Sequence, residues 1–179
     1  MTTVGHSLTG MAIGALVIPP QWGWPAKAAA FFAFAFLANL PDAPLPGWGH
    51  DKYQLSHSIF VNLAIIIPLA GVLACWSGLL VRIGGWPVAI GGAGAWLSHM
   101  LLDAMYSHGS GIRAFWPFSK AALDLPVPWL HTLRRGWAAD WYTLRVALIE
   151  LASFGVLLAL CWAARVIWVR MRITVPGAT

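Results

Sequence analysis

Charge is what this chain has least of. Only 9% of its 179 residues are Asp, Glu, Lys or Arg, while 59% are hydrophobic, against about 25% charged in an average soluble domain. That balance excludes an ordinary water-soluble fold and indicates an integral membrane protein. Cysteine is equally sparse: Cys75 and Cys161 both fall inside apolar stretches, so neither a disulfide framework nor a thiolate metal site is indicated, and packing is their expected role. Residues 1–6 carry no Lys or Arg and no small-residue cleavage pattern follows, so the first segment is expected to be retained rather than removed as a signal peptide. No solenoid repeat or low-complexity tract is present. The net charge of +5 comes largely from Arg165, Arg170 and Arg172 near the C-terminal end and from Arg113, Lys120, Arg134 and Arg135 in one loop. Basic residues beside a membrane serve topology and anionic lipid, and no nucleic-acid partner is expected.

Long apolar runs are what the chain has instead. Residues 59–81 contain no charged side chain and suffice for about 30 Å of hydrocarbon at about 1.5 Å per residue. Residues 84–106 and 143–169 also qualify, whereas 4–20 and 26–40 are marginal in length. Pro and Gly separate the runs. The expectation is an all-α fold: an integral membrane bundle of about five hydrophobic helices in a single domain over 1–179, with a long aromatic and basic loop at 107–142 and a basic tail at 165–179. The run Gly91-Gly92-Ala93-Gly94-Ala95 would let its helix approach neighbours closely. Most of the twelve Trp lie near segment ends, as in interfacial belts. The loop 115–141 reads as a lid along the bilayer surface, with Arg113, Lys120, Arg134 and Arg135 placed to receive an anionic head group.

If the five segments alternate in direction, His6, Asp42, His57, His99 and Asp103 all fall at the same membrane face. Lys27, Arg82 and the arginine-rich tail fall at the other, and the positive-inside rule makes the basic face cytoplasmic and the His/Asp face periplasmic. Ionisable groups at membrane depth are costly unless they pair or bind something. Three imidazoles and two carboxylates gathered there read most economically as a metal site. Its strongest local signal is Ser98-His99-Met100-Leu101-Leu102-Asp103, because positions four apart share one helix face. Taken alone, such a pair is more often a buried His hydrogen-bonded to a neighbouring helix. Asp42 alone reads equally as a helix-end aspartate, and Ser56 and Ser58 as N-caps; the coincidence of all five is what carries weight.

His108 follows Asp103 before a Gly-rich turn. It is a candidate for a sixth ligand or for the acid that protonates a leaving group, with a solvated loop histidine as the equal alternative. Asp103 and His108 are thus the candidate catalytic pair, and His6, Asp42, His57, His99, Asp103 and His108 the candidate ligands. His50 and His131 read as loop histidines, and Asp51, Asp124 and Asp140 as loop carboxylates. Glu150, the only glutamate, is expected to pair with Arg145, a reading preferred to a role at the site as a base or a support.

Together, an early His in a helix of small residues, Leu40-Pro41-Asp42, Ser56-His57-Ser58, His99 with Leu102-Asp103, and Trp116-Pro117-Phe118 resemble the YdjM-like family of inner-membrane, metal-dependent hydrolases, in order over roughly residues 4–119. The resemblance implies a metal-dependent hydrolase and leaves its substrate unstated. The order His, Asp, His, His-x-x-x-Asp, His is similar, more weakly, to the zinc-dependent phospholipase C and single-strand nuclease group, all-helical enzymes with a multi-zinc cluster. One departure stands out. Many family members carry a His-Arg pair before the Thr-His-Ser, where this chain reads Lys52-Tyr53-Gln54-Leu55-Ser56-His57, with His50 at a shifted position. A phosphate-gripping arginine is missing there, which implies a different substrate.

The resulting expectation is a membrane-bound hydrolase that uses one or two divalent ions, zinc before manganese or iron, on a phosphoester or lipid-like substrate. Membrane lipids and a small-molecule or lipid substrate are its expected partners. A metal transporter or sensor and a non-catalytic scaffold are the competing classes. A transporter places ionisable groups near mid-membrane on broken helices, whereas here they gather at segment ends, and a scaffold needs no such cluster.

Overall fold

A computed structural model describes residues 3–106, 111–132 and 140–174 of the chain. His108, Arg134, Arg135 and Trp137 lie outside the described residues. Helix α1 (Thr3–Val17) stops before Pro19-Pro20, which cannot continue its hydrogen-bond ladder. Helix α2 (Trp24–Asn39) has Pro25 in its first turn, where a missing N–H costs nothing, and runs on into a one-turn 3-10 helix, Leu40–Asp42. After the short α3 (Tyr53–Ser56), Ser58 caps α4 (Ile59–Cys75) by accepting the Val61 amide at 3.4 Å. Next come α5 (Ser77–Arg82), α6 (Trp86–Met105) and the long α7 (Trp141–Thr174). No strand forms among the described residues.

The apolar run 59–81 is not one helix. It breaks at Trp76, whose ψ of 68° leaves the helical region just before the Ser77-Gly78 pair, a frequent site of helix kinks. The run 143–169 lies within α7, and α7 is the one described helix long and apolar enough to cross a membrane, over Trp141–Met171. Helices α1 and α4 are apolar but shorter, with 15 and 17 residues.

Helix α1 is the hub of the packing, against α2, α6 and α7; α2 also meets α6, and α4 leans on α6. Small residues allow the closest of these approaches. A Cβ added at Gly10 would strike the Phe34 carbonyl oxygen and lie 2.8 Å from the Ala38 Cβ. The glycine run of α6 serves this purpose in part: a Cβ at Gly91 would meet Val17 Cγ2 at 2.7 Å, whereas one at Gly94 would have nothing within 4 Å. Between α1, α2 and α6, Ile18, Phe34, Ala38 and Ala95 form a buried core.

Residues 111–132 fold back as a strap over the end of α6. The amides of Leu125 and Val127 donate to the Ala104 and Met105 carbonyls at 2.7 and 2.8 Å, and the Ile59 amide donates to Ala114 O at 2.9 Å. The strap thereby satisfies carbonyls that a helix end leaves unpaired. Outward, α2, α4, α6 and α7 present Phe32, Phe36, Ile67, Ile90 and Leu160, each 63% to 72% exposed.

Candidate metal centre

Four separate pieces of chain bring the five predicted residues together. His6 comes from the start of α1, Asp42 from the 3-10 turn that ends α2, His57 from the C-cap of α3, and His99 and Asp103 from the last turns of α6. Asp103 is the junction. Its Oδ1 lies 3.3 Å from His6 Nε2, and its Oδ2 lies 3.1 Å from His57 Nε2 and 3.7 Å from His99 Nε2. Across the cluster, Asp42 Oδ1 is 3.3 Å from His57 Nε2 and Oδ2 is 3.7 Å from His99 Nε2. The rings of His6 and His99 stack at 3.7 Å between centroids, 11° from parallel. Burial is nearly complete, with His57 and His99 at 0% exposure and His6 at 1%; the Asp42 side chain, at 24%, is the one that reaches solvent.

Hydrogen bonding on the outer side of the His99 and His57 rings fixes what the inner side offers. Nδ1 of His99 sits 2.8 Å from the Ala38 carbonyl. A carbonyl only accepts, so this nitrogen carries the proton and Nε2 presents a lone pair. For His57 the same reasoning applies, with Nδ1 3.1 Å from the Tyr53 carbonyl and 2.8 Å from Ser56 Oγ. The two Nε2 atoms nevertheless face each other at 3.2 Å. Two lone pairs and two carboxylates thus converge with no aligned donor among them, and Asp42 Oδ1 and Asp103 Oδ1 have no hydrogen-bond partner among the described residues. A cation, either a proton or a metal ion, satisfies such a set.

The electrostatics agree. Burial opposes a charge on His57, but hydrogen bonds to Asp103 and Asp42 outweigh it and lift its pKa to about 9. For Asp42, burial favours the neutral acid, yet His57 and His99 hold its carboxyl well below the ordinary range. A proton and a metal ion would compete for the His57 lone pair. Two overlapping groups, His6-Asp42-His99 and His57-His99-Asp103, have ligand atoms within 4.8 Å of one another, so the buried His/Asp cluster could hold a metal ion. The donors are imidazole nitrogen and carboxylate oxygen, which fit zinc, manganese or iron.

Over residues 1–175 the chain matches the YdjM inner membrane protein family. The chain belongs to this family. It is also similar to the inner membrane protein YbcI of Escherichia coli K12, at 29% identity over 65% of this chain and 65% of that protein. No solved structure gives a significant match. The motif resemblance noted in the sequence is therefore correct at the level of family, and the early His, Leu40-Pro41-Asp42, Ser56-His57-Ser58 and His99 with Leu102-Asp103 of this YdjM family member are the segments that meet at the cluster.

Other site residues were less visible in the sequence. The Tyr53 hydroxyl donates to Asp103 Oδ2 at 3.1 Å, and its ring stacks on His57 at 3.8 Å; burial, then the Asp103 carboxylate, push the Tyr53 phenol above its ordinary range. Asn62 is fully buried and clamps the His57 turn. Its Nδ2 donates to the Ser56 and Ser58 carbonyls at 2.7 Å each, while Oδ1 accepts from Trp96 Nε1 at 2.6 Å. A lone amide in an apolar run was the available signal. Replacing it with an isosteric hydrocarbon, Asn62→Leu, is expected to weaken metal binding about 10- to 100-fold, as loss of an outer-shell partner does; zinc titration of the metal-stripped protein checks this.

His50, read as a loop histidine, is 77% exposed with Nε2 3.6 Å from Asp42 Oδ1 and stands at the solvent rim. Asp51 accepts the Gly47 amide at 2.8 Å, and Asp140 accepts the Thr143 amide at 2.8 Å at the start of α7. His131 and Asp124 belong to neither ligand group. For Glu150 the expected partner Arg145 is replaced. Arg145 is exposed, whereas Glu150 is buried and accepts the Gly5 amide at 3.0 Å. Unpaired N–H groups at the positive end of α1 outcompete a solvated guanidinium for a carboxylate already inside the bundle.

Proposed function

We propose that this protein is a multi-pass inner-membrane hydrolase that uses a divalent transition metal, zinc first and manganese or iron next, to cleave a phosphoester in a lipid-like substrate at the periplasmic face. The observation that carries the reading is the inward convergence of His57 and His99 lone pairs with the Asp42 and Asp103 carboxylates. A divalent ion bound there supplies Lewis acidity and a water-derived nucleophile at neutral pH. His99 Nε2 has a single lone pair and belongs to both ligand groups, which favours one principal ion.

The protein's own groups have separable tasks. Ala38, Tyr53 and Ser56 orient the imidazoles, and Tyr53 holds Asp103. Asp42, at the exposed edge beside His50, marks the side from which substrate enters. His108 is assigned as proton donor to the leaving group. The outward-facing Phe, Ile and Leu side chains of α2, α4, α6 and α7 support a membrane setting beyond the single span of α7. The short helices match a bilayer thinned around them: the 15 to 17 residues of α1, α2 and α4 amount to about 22 to 26 Å. Ligands at helix ends argue against a transport path through mid-membrane.

The test is to incubate metal-loaded, detergent-purified wild type and His57→Ala with lysophospholipids, phosphatidic acid and generic phosphodiesters. Wild type is expected to hydrolyse at least one of these, and His57→Ala to lose about 100-fold or more, unrestored by added metal, since even outer-shell losses cost 10- to 100-fold. Equal absence of hydrolysis in both proteins, with wild type fully loaded, overturns the enzyme reading.

A further inference from the structure

We propose a second ligand site, for the phosphate of an anionic lipid head group, in the pocket between the end of α1, the start of α2 and the last third of α7. Its cations are Lys27, Arg165 and Arg170, and its apolar walls include Phe31, Trp162 and Val166. The site is remote from the metal cluster: along α1, Ile18 lies twelve residues beyond His6, roughly 18 Å at the helical rise.

Three features point to an oxyanion. First, three basic side chains line one cavity of about 240 Å³, and none of the chain's six acidic residues lines it. Lys27 and Arg165 have no carboxylate partner among the described residues, and cations that share a cavity are stabilised when an anion completes them. Second, Arg165 is only partly satisfied: its Nε is buried with no hydrogen-bond partner among the described residues, while its guanidinium carbon sits 4.6 Å over the Trp168 ring. Stacking of that kind fixes the guanidinium plane, and a fixed fork is what recognises phosphate oxygens. Third, Lys27 is held at the cavity by donating to the Pro20 carbonyl at 2.8 Å, which uses one of its three protons.

The walls choose between a free anion and a lipid. Phe31 and Trp162 stand together at 5.9 Å between ring centroids, and Ile167, on the same helix, is 57% exposed. Inorganic phosphate uses only the cations, whereas a lipid also lays its acyl chains along these side chains. The cavity equals roughly eight waters at about 30 Å³ each, enough for a phosphate group but not for tails, which would lie outside on the bundle surface. A basic pocket between helices at the face opposite the metal cluster is where an anionic head group of the inner leaflet is met on the proposed topology. The site itself does not depend on the hydrolase reading.

The experiment measures thermal stability of the metal-loaded, delipidated protein in detergent during titration with phosphatidylglycerol, phosphatidylcholine or inorganic phosphate. Wild type is expected to be stabilised by phosphatidylglycerol at concentrations at least about tenfold below those of phosphatidylcholine, with no matching effect of inorganic phosphate. The double variant Lys27→Gln/Arg165→Gln is expected to lose about tenfold or more of that phosphatidylglycerol affinity while keeping its metal content. If the double variant does not fold, Lys27→Gln alone serves, because glutamine can keep the bond to Pro20. Equal stabilisation by phosphatidylcholine, or unchanged phosphatidylglycerol affinity in the folded variant, overturns the proposal. Full stabilisation by inorganic phosphate alone overturns the lipid as its source.

Discussion

Asp103→Ala and Asp103→Asn should both purify with at least about tenfold less bound transition metal than wild type. Asp103 is the carboxylate that meets all three imidazoles: its two oxygens face His6, His57 and His99, and accept from Tyr53. The asparagine variant keeps the volume and an acceptor for Tyr53 but loses the charge, so its failure to hold metal separates ligation from packing. His50→Ala is the control, since a rim side chain that is 77% exposed should leave the metal content unchanged. The measurement is elemental analysis of protein washed with a weak chelator. Full occupancy in both Asp103 variants would remove Asp103 from the ligand set.

Gly10→Leu is expected to be the most damaging single change away from the ligands. Its Cβ would enter the space of the Phe34 carbonyl and Ala38, and overpacking costs about 1 to 3 kcal/mol or more when the obstacle is backbone rather than a movable side chain. Consequences reach the cluster directly, because α1 carries His6 and the displaced Ala38 carbonyl is the one that orients His99. Loss of stability and loss of metal should therefore appear together. Gly94→Leu, whose Cβ meets nothing within 4 Å, should stay within about 0.5 kcal/mol of wild type. Thermal unfolding of the two variants in the same detergent decides the matter; equal stability would contradict the close α1–α2 contact.

Much of this arrangement was legible in the residues because apolar helices announce themselves by the length of their apolar runs. The runs 26–40, 84–106 and 143–169 correspond closely to α2, α6 and α7. The run 59–81 misled for the same reason: hydropathy does not register backbone conformation, and the turn at Trp76 interrupts the helix without interrupting the apolar pattern. At the cluster, His99 and Asp103 declare themselves by helical spacing, while His6, Asp42 and His57 needed only the assumption that successive segments alternate.

What remained hidden depends on contacts between distant parts of the chain. Tyr53 and Asn62 act through a hydroxyl and an amide whose partners lie 50 and 34 residues away, and neither residue type marks a metal site by itself. Glu150 shows the limit of local reasoning in another way, for a partner one turn away lost to an amide 145 residues distant.

Whether this YdjM family member binds a metal ion where its five side chains meet is decided by elemental analysis of wild-type protein, purified in detergent from cells grown with ample zinc and manganese and without chelator. About one zinc, manganese or iron per chain is expected, and protein that reproducibly holds none of the three would rule the metal centre out.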